Sequence, residues 1–102
     1  MPVSQPKRLT PIHPGEVLAE LLREAGLTVN SLALALRVPA NRIGAIVSGQ
    51  RGITGDTALR LARYFGTSAQ MWMNLQAKYE LSVAEDALLA RITKEVLPRH
   101  AA

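Results

Sequence analysis

Cysteine is absent from this 102-residue chain, which excludes disulfides, thiolate metal sites and thiol nucleophiles and suits a reducing cytoplasm. Long apolar runs are missing too. Nothing approaches the ~18 consecutive apolar residues that span a bilayer, and the opening Met1-Pro2-Val3-Ser4-Gln5-Pro6-Lys7-Arg8 lacks the apolar stretch of a secretory signal. A cytoplasmic protein without membrane contact is therefore expected. No segment alternates apolar and polar residues with period two, and no internal repeat is evident, so the chain reads as all-α.

With 48% hydrophobic and 20% charged residues, the composition suits one compact core and is unlike that of a disordered chain. The net charge of +4 favours contact with polyanions only weakly. Its placement carries more information: Arg37, Arg42, Arg51, Arg60 and Arg63 all lie mid-chain.

Punctuation along the chain divides it into segments. Pro2, Pro6 and Pro11 mark residues 1–12 as an extended arm, in which Lys7 and Arg8 are available to a DNA groove or a protein partner. Pro14 and Glu16 suit a first helical turn, and Gly26 a left-handed stop, giving a helix over 14–25 with Val17, Leu18, Leu21 and Leu22 inward. Thr28 caps a second helix with Leu32, Ala33 and Leu36 buried, ending near Val38-Pro39. A third runs from Pro39 to Gly49 on Ile43, Ile46 and Val47. Thr54 caps a fourth, with Ala58, Leu61, Ala62 and Phe65 inward and Gly66 as its stop. Ser68 opens a fifth, containing Met71, Trp72, Leu75 and Tyr79. Ser82 with Glu85 three residues on forms a capping box for a sixth, extending to about Leu97. The expected domains are the arm over 1–12, a helical domain over 13–80 and a C-terminal helix and tail over 81–102.

Residues 28–49 hold two short helices joined by a tight turn. Leu32, Leu36, Val38, Ile43 and Ile46 stand where two steeply crossed helices need apolar contacts, and Ala33 where they approach most closely. Arg37 occupies a turn position that commonly has glycine and positive φ, so either local strain, at a cost of ~1 kcal/mol or somewhat more for a non-glycine residue, or a shifted turn is expected. This is the pattern of a helix-turn-helix. Its second helix then offers Ala40, Asn41, Arg42, Gly44, Ala45 and Ser48 to a major groove. Asn41 suits adenine, Arg42 guanine or a phosphate, and Ala40 and Ala45 thymine methyls. Thr28, Asn30, Gln50 and Arg51 are placed to hold phosphates. One such module contacts few bases, so pairing about a two-fold axis is expected, with two such helices about 34 Å apart. Trp72, Met73, Leu88, Leu89, Ile92 and Val96 offer apolar surface for that pairing.

Several linked segments make the pattern more specific: Ile12-His13-Pro14-Gly15-Glu16, Gly49-Gln50-Arg51-Gly52-Ile53-Thr54 with Asp56-Thr57-Ala58, Leu61-Ala62-Arg63-Tyr64-Phe65-Gly66-Thr67-Ser68, and Trp72-Met73-Asn74-Leu75-Gln76. Together, over roughly residues 12–80, they resemble the HigA (also called VapI) antitoxins of the lambda-repressor-like, or Xre, superfamily. The resemblance implies a five-helix repressor core with an additional C-terminal helix and a homodimer that binds a palindromic operator upstream of its own operon. It also implies a RelE-like, HigB-like toxin partner that cleaves messenger RNA. A stand-alone regulator of the same superfamily without a toxin is the alternative.

Enzyme chemistry finds no support. His13 and Glu16 have metal-ligand or acid/base spacing, but they sit at a helix start without a third ligand or a nucleophile, so no metal, cofactor or catalytic residue is assigned. Trp72 and Met71 also suit ordinary core packing. Arg60 and Arg63 suit a solvated helix face better than a binding patch.

Overall fold

A computed structural model describes residues 10–100; the expectations for Lys7, Arg8 and the rest of the arm up to residue 9 lie outside them. The described residues form five helices and no strands: α1 (Pro14–Ala25), α2 (Val29–Leu36), α3 (Ala40–Val47), α4 (Gly55–Phe65) and α5 (Ala69–Glu95).

Most boundaries follow from local chemistry. His13 is the N-cap of α1: its Nδ1 accepts the Gly15 amide at 2.8 Å, and Glu16 Oε2 accepts the His13 amide at 3.0 Å. These two bonds satisfy donors that a helix start leaves without partners. They give His13 and Glu16 a structural role in place of the ligand or acid/base role their spacing suggested. Gly26 and Gly66 close α1 and α4 in the left-handed region. Thr28 and Ser31 exchange capping bonds at the start of α2. Ser68 Oγ accepts the Met71 amide at the start of α5. Thr54 stands at the N-cap of α4, but its hydroxyl makes no capping bond.

The expected sixth helix is corrected. Residues 79–85 continue α5 without a break, making one helix of 27 residues. No glycine or proline interrupts Lys78-Tyr79-Glu80-Leu81-Ser82-Val83-Ala84, and one serine inside a helix costs well under ~1 kcal/mol, too little to end it. The helix stops at Glu95, with Val96 extended, two residues before Pro98.

The core is built from Leu18 and Leu22 of α1, Leu32, Ala33 and Leu36 of α2, Ile43 and Ile46 of α3, Ile53, Ala58 and Leu61, and Trp72 of α5. Trp72 is 0% exposed and its indole N–H donates to Thr67 Oγ1 at 3.1 Å, which satisfies the one polar atom it buries. Two polar contacts fix the loop after α3. Gln76 Oε1 accepts the Ile53 amide at 2.8 Å, and Gln76 Nε2 donates to Glu80 Oε2 at 2.9 Å. The amide of Gln76 lies so close to Gly52 that a Cβ there would come within 2.7 Å of it.

Candidate nucleic-acid interface

The α2–α3 pair meets the geometric demands of a helix-turn-helix. Arg37 ends α2 at φ 61°, ψ 45°, the left-handed turn expected from its position, and the Val38 amide closes it on the Ala33 carbonyl at 3.0 Å. Ala33 is buried on α2, the helix that packs against α3. Pro39 then enters α3 in extended conformation. Its preset φ suits this entry.

Side-chain burial, close backbone approach and an ion pair fix the pose of α3. Ile43 and Ile46 are fully buried and hold its inner face. The start of α1 presses on its far end: a Cβ at Gly15 would lie 1.8 Å from the Ile46 carbonyl oxygen. On one flank a Cβ at Gly44 would touch Val29 Cγ1 at 3.8 Å, which places Gly44 toward the opening of α2. On the other flank Arg42 Nη1 donates to Asp56 Oδ2 at 2.9 Å, reaching the first turn of α4.

The side left open carries Asn41, Ala45 and Ser48, which helical periodicity places together opposite Ile43 and Ile46. Asn41 and Ser48 are exposed and Ala45 is half-buried; the Ser48 hydroxyl donates to the Ala45 carbonyl at 3.1 Å. Ala40 is exposed at the helix start. Around this ridge, Thr28, Asn30, Gln50 and Arg51 are all exposed. The amides of Gln50 and Arg51 are tied to the Ala45 carbonyl at 2.9 and 3.2 Å, so these two residues present side chains to a ligand, not backbone donors.

Two expectations change here. Arg42 is not a free arm: its side chain is only 23% exposed and bound to Asp56. Trp72 is not on an interface, because its ring is consumed by the core, and Met73 packs partly against the same core. Leu88 and Ile92, by contrast, are 42% and 45% exposed.

A contact that sequence spacing did not reveal joins these elements. Arg60 Nε donates to Asp56 Oδ1 at 2.6 Å and Arg60 Nη1 to the Leu36 carbonyl at 2.8 Å. Arg60 therefore links α4 to the last turn of α2, where a cation also complements the helix dipole. The two guanidinium groups, Arg60 first and Arg42 second, hold the Asp56 carboxyl below its ordinary pKa. Among the described residues no cluster of His, Cys, Asp or Glu is arranged to hold a metal ion.

A short helix held by its neighbours, following a tight left-handed turn and leaving Asn41 and Ser48 exposed on its open side, defines a helix-turn-helix protein. The helix-turn-helix family model matches residues 18–72. Virulence-associated protein I of Dichelobacter nodosus is 57% identical over 75 residues, covering 72% of this chain and 69% of that protein. Antitoxin HigA-1 of Vibrio cholerae is 32% identical over 72 residues, covering 70% and 68% of the two chains. Among solved structures, the Pseudomonas aeruginosa antitoxin HigA with the higBA promoter is 49% identical, with a TM-score of 0.86, and the match covers 88% of this chain and 99% of that one. The chain belongs to the helix-turn-helix family and, within it, to the HigA-type antitoxins, a group of DNA-binding regulators and not of enzymes.

Proposed function

We propose that this protein is a sequence-specific autorepressor that binds the operator of its own operon as a homodimer and neutralises a HigB-like toxin. The observation that carries the reading is the ridge Asn41–Ala45–Ser48, with Asn41 and Ser48 exposed on a helix whose pose is fixed by Ile43, Ile46, the close approach of Gly15 and the Arg42–Asp56 pair. A helix fixed in this way reaches a major groove without first paying an ordering cost. A solved relative is the Pseudomonas aeruginosa antitoxin HigA with the higBA promoter, which supports promoter DNA as the ligand.

In this reading Asn41 contacts a base edge, with Ala40, Gly44 and Ala45 allowing close approach. Thr28, Asn30, Ser48, Gln50 and Arg51 contact the phosphates on either side. The homodimer forms through α5. Leu81, Leu88 and Ile92 recur at helical spacing along α5 with Leu89 beside them, Val96 follows just past the helix end, and all are exposed, a longer apolar stripe than a lone helix end normally leaves in water. The toxin partner rests on family membership alone, and a stand-alone regulator is what remains if that partner is absent.

Anisotropy titration against the promoter fragment upstream of its own gene tests DNA binding. Asn41→Ala is expected to cost ~1–3 kcal/mol on the operator and to relax preference at one base position. Arg51→Ala is expected to weaken binding to every duplex alike and to reduce the salt slope by about one unit. Absence of any sequence-specific binding by the parent chain at moderate salt overturns the proposal. Co-purification with the product of the adjacent reading frame tests the antitoxin role.

A further inference from the structure

Asp56 is an acidic residue in a surface that, on the reading above, faces a polyanion, and it holds an arginine of the reading helix. Both of its carboxylate oxygens are used: Oδ2 accepts from Arg42 at 2.9 Å and Oδ1 from Arg60 at 2.6 Å. Arg60 is itself fixed by the Leu36 carbonyl at 2.8 Å, so the acceptor stands on a rigid mount spanning α2 and α4. An isolated surface ion pair constrains little, because two long side chains must be ordered to make it. Here one partner is already ordered, and the other, Arg42, is largely covered at 23% exposure while Asp56 keeps 52%.

We propose that Asp56 is a specificity-determining residue for operator binding, acting by keeping Arg42 off phosphates. The inference rests on the DNA-binding reading. In non-specific encounters affinity comes almost entirely from Lys and Arg on phosphates. For Arg42 to join them it must give up its one charged partner, Asp56, and leave the Oδ2 side of that carboxylate unpaired beside the duplex, with only Oδ1 still held by Arg60. Operator binding does not need that move, because Asn41 and Ala45 stand on the open side of α3 whether or not Arg42 shifts. Asp56 therefore subtracts from non-specific binding more than from specific binding, and discrimination is the difference between the two. Arg42 acts as a brace on α3 and not as a base reader. The lowered pKa of Asp56 keeps the carboxylate charged across the range in which DNA binding is measured.

The test measures the affinity of the full chain for its promoter fragment and for a scrambled duplex of equal length, across a salt series. Thermal melts establish that each variant is folded. Asp56→Asn is expected to raise affinity for scrambled DNA roughly threefold to tenfold and to steepen the salt slope by about 0.9, the increment of one new phosphate contact. The operator-to-scrambled ratio falls accordingly. In an Arg42→Gln background the same substitution should leave the salt slope unchanged. If Asp56→Asn acts equally with and without Arg42, simple removal of a negative charge explains it and the proposal is wrong. Arg42→Gln alone provides an independent check: it should leave the salt slope of the parent unaltered, and a drop of about one unit would show Arg42 already on phosphates. A parent chain that fails to bind its operator refutes the underlying DNA-binding reading; a parent that binds, with an unchanged ratio in Asp56→Asn, refutes only this inference.

Discussion

Gly15→Ala adds one methyl group at the second residue of α1, and the structure fixes what it meets. The new carbon would lie 1.8 Å from the Ile46 carbonyl oxygen, 2.8 Å from the Ile46 carbonyl carbon and 3.0 Å from His13 Nδ1. The two nearest atoms are backbone, so no rotamer change relieves the clash. Restoring a 3.4 Å contact requires α1 and α3 to separate by about 1.6 Å. Overpacking of this kind costs ~1–3 kcal/mol, and here it must also overcome the ~1 kcal/mol by which alanine is the better helix former. The net loss, up to about 2 kcal/mol, in a domain of this size lowers Tm by up to roughly 8–16 °C. Because the displaced element is the helix with the open ridge, operator affinity should fall with it.

Urea unfolding and anisotropy titration read the two effects separately. Gly55→Ala is the internal control: nothing lies within 4 Å of its added carbon, and the residue is already helical. It should be neutral or stabilising by about 0.4–1 kcal/mol. A Gly15→Ala variant that unfolds at the parental urea concentration and binds operator like the parent would refute the claim that α1 sets the position of α3.

Three other perturbations probe different supports. Gln76→Leu leaves the buried Ile53 amide without the acceptor it has at 2.8 Å, and calorimetry should show a loss of about 1–3 kcal/mol. Arg37→Val places a β-branched residue at φ 61° and should lower urea stability by more than ~1 kcal/mol, whereas Arg37→Gly should not destabilise. Asp56 has a folded pKa below its ordinary 3.8, so its ion pairs contribute fully above that value and their contribution is lost as pH falls below it toward the folded pKa. An acid titration of unfolding should therefore show a loss on the acid side of 3.8 that is smaller in Asp56→Asn.

What was legible in the sequence was local. Pro14, Gly26, Gly66 and Ser68 mark helix ends through dihedral limits and hydrogen bonds that reach three or four residues, and each acts as expected. Arg37 could be assigned its left-handed turn because the spacing of Leu32, Ala33, Leu36 and Ile43 fixes where the chain must reverse. Contacts that depend on tertiary approach were not legible. Arg42 meets Asp56 fourteen residues away, and Gln76 meets the Ile53 amide at a separation of 23. Arg60 looked like part of a solvated face because only folding brings the Leu36 carbonyl to it. Composition cannot tell a core indole from a docking one; the complete burial of Trp72, with its N–H satisfied by Thr67, decides it. The continuity of α5 through Ser82 is not legible locally, because a capping-box pattern is equally compatible with a helix interior when no breaker precedes it.

Backbone amide NMR of the full chain, titrated with its operator duplex, tests the use of the α3 ridge most directly. Saturating operator should shift or broaden Asn41, Ala45 and Ser48 first, together with neighbouring Asn30 and Arg51, while Glu20 and Glu24 on the outer face of α1 stay in place. Operator binding at full occupancy with the α3 resonances unmoved would mean that some other surface reads the DNA.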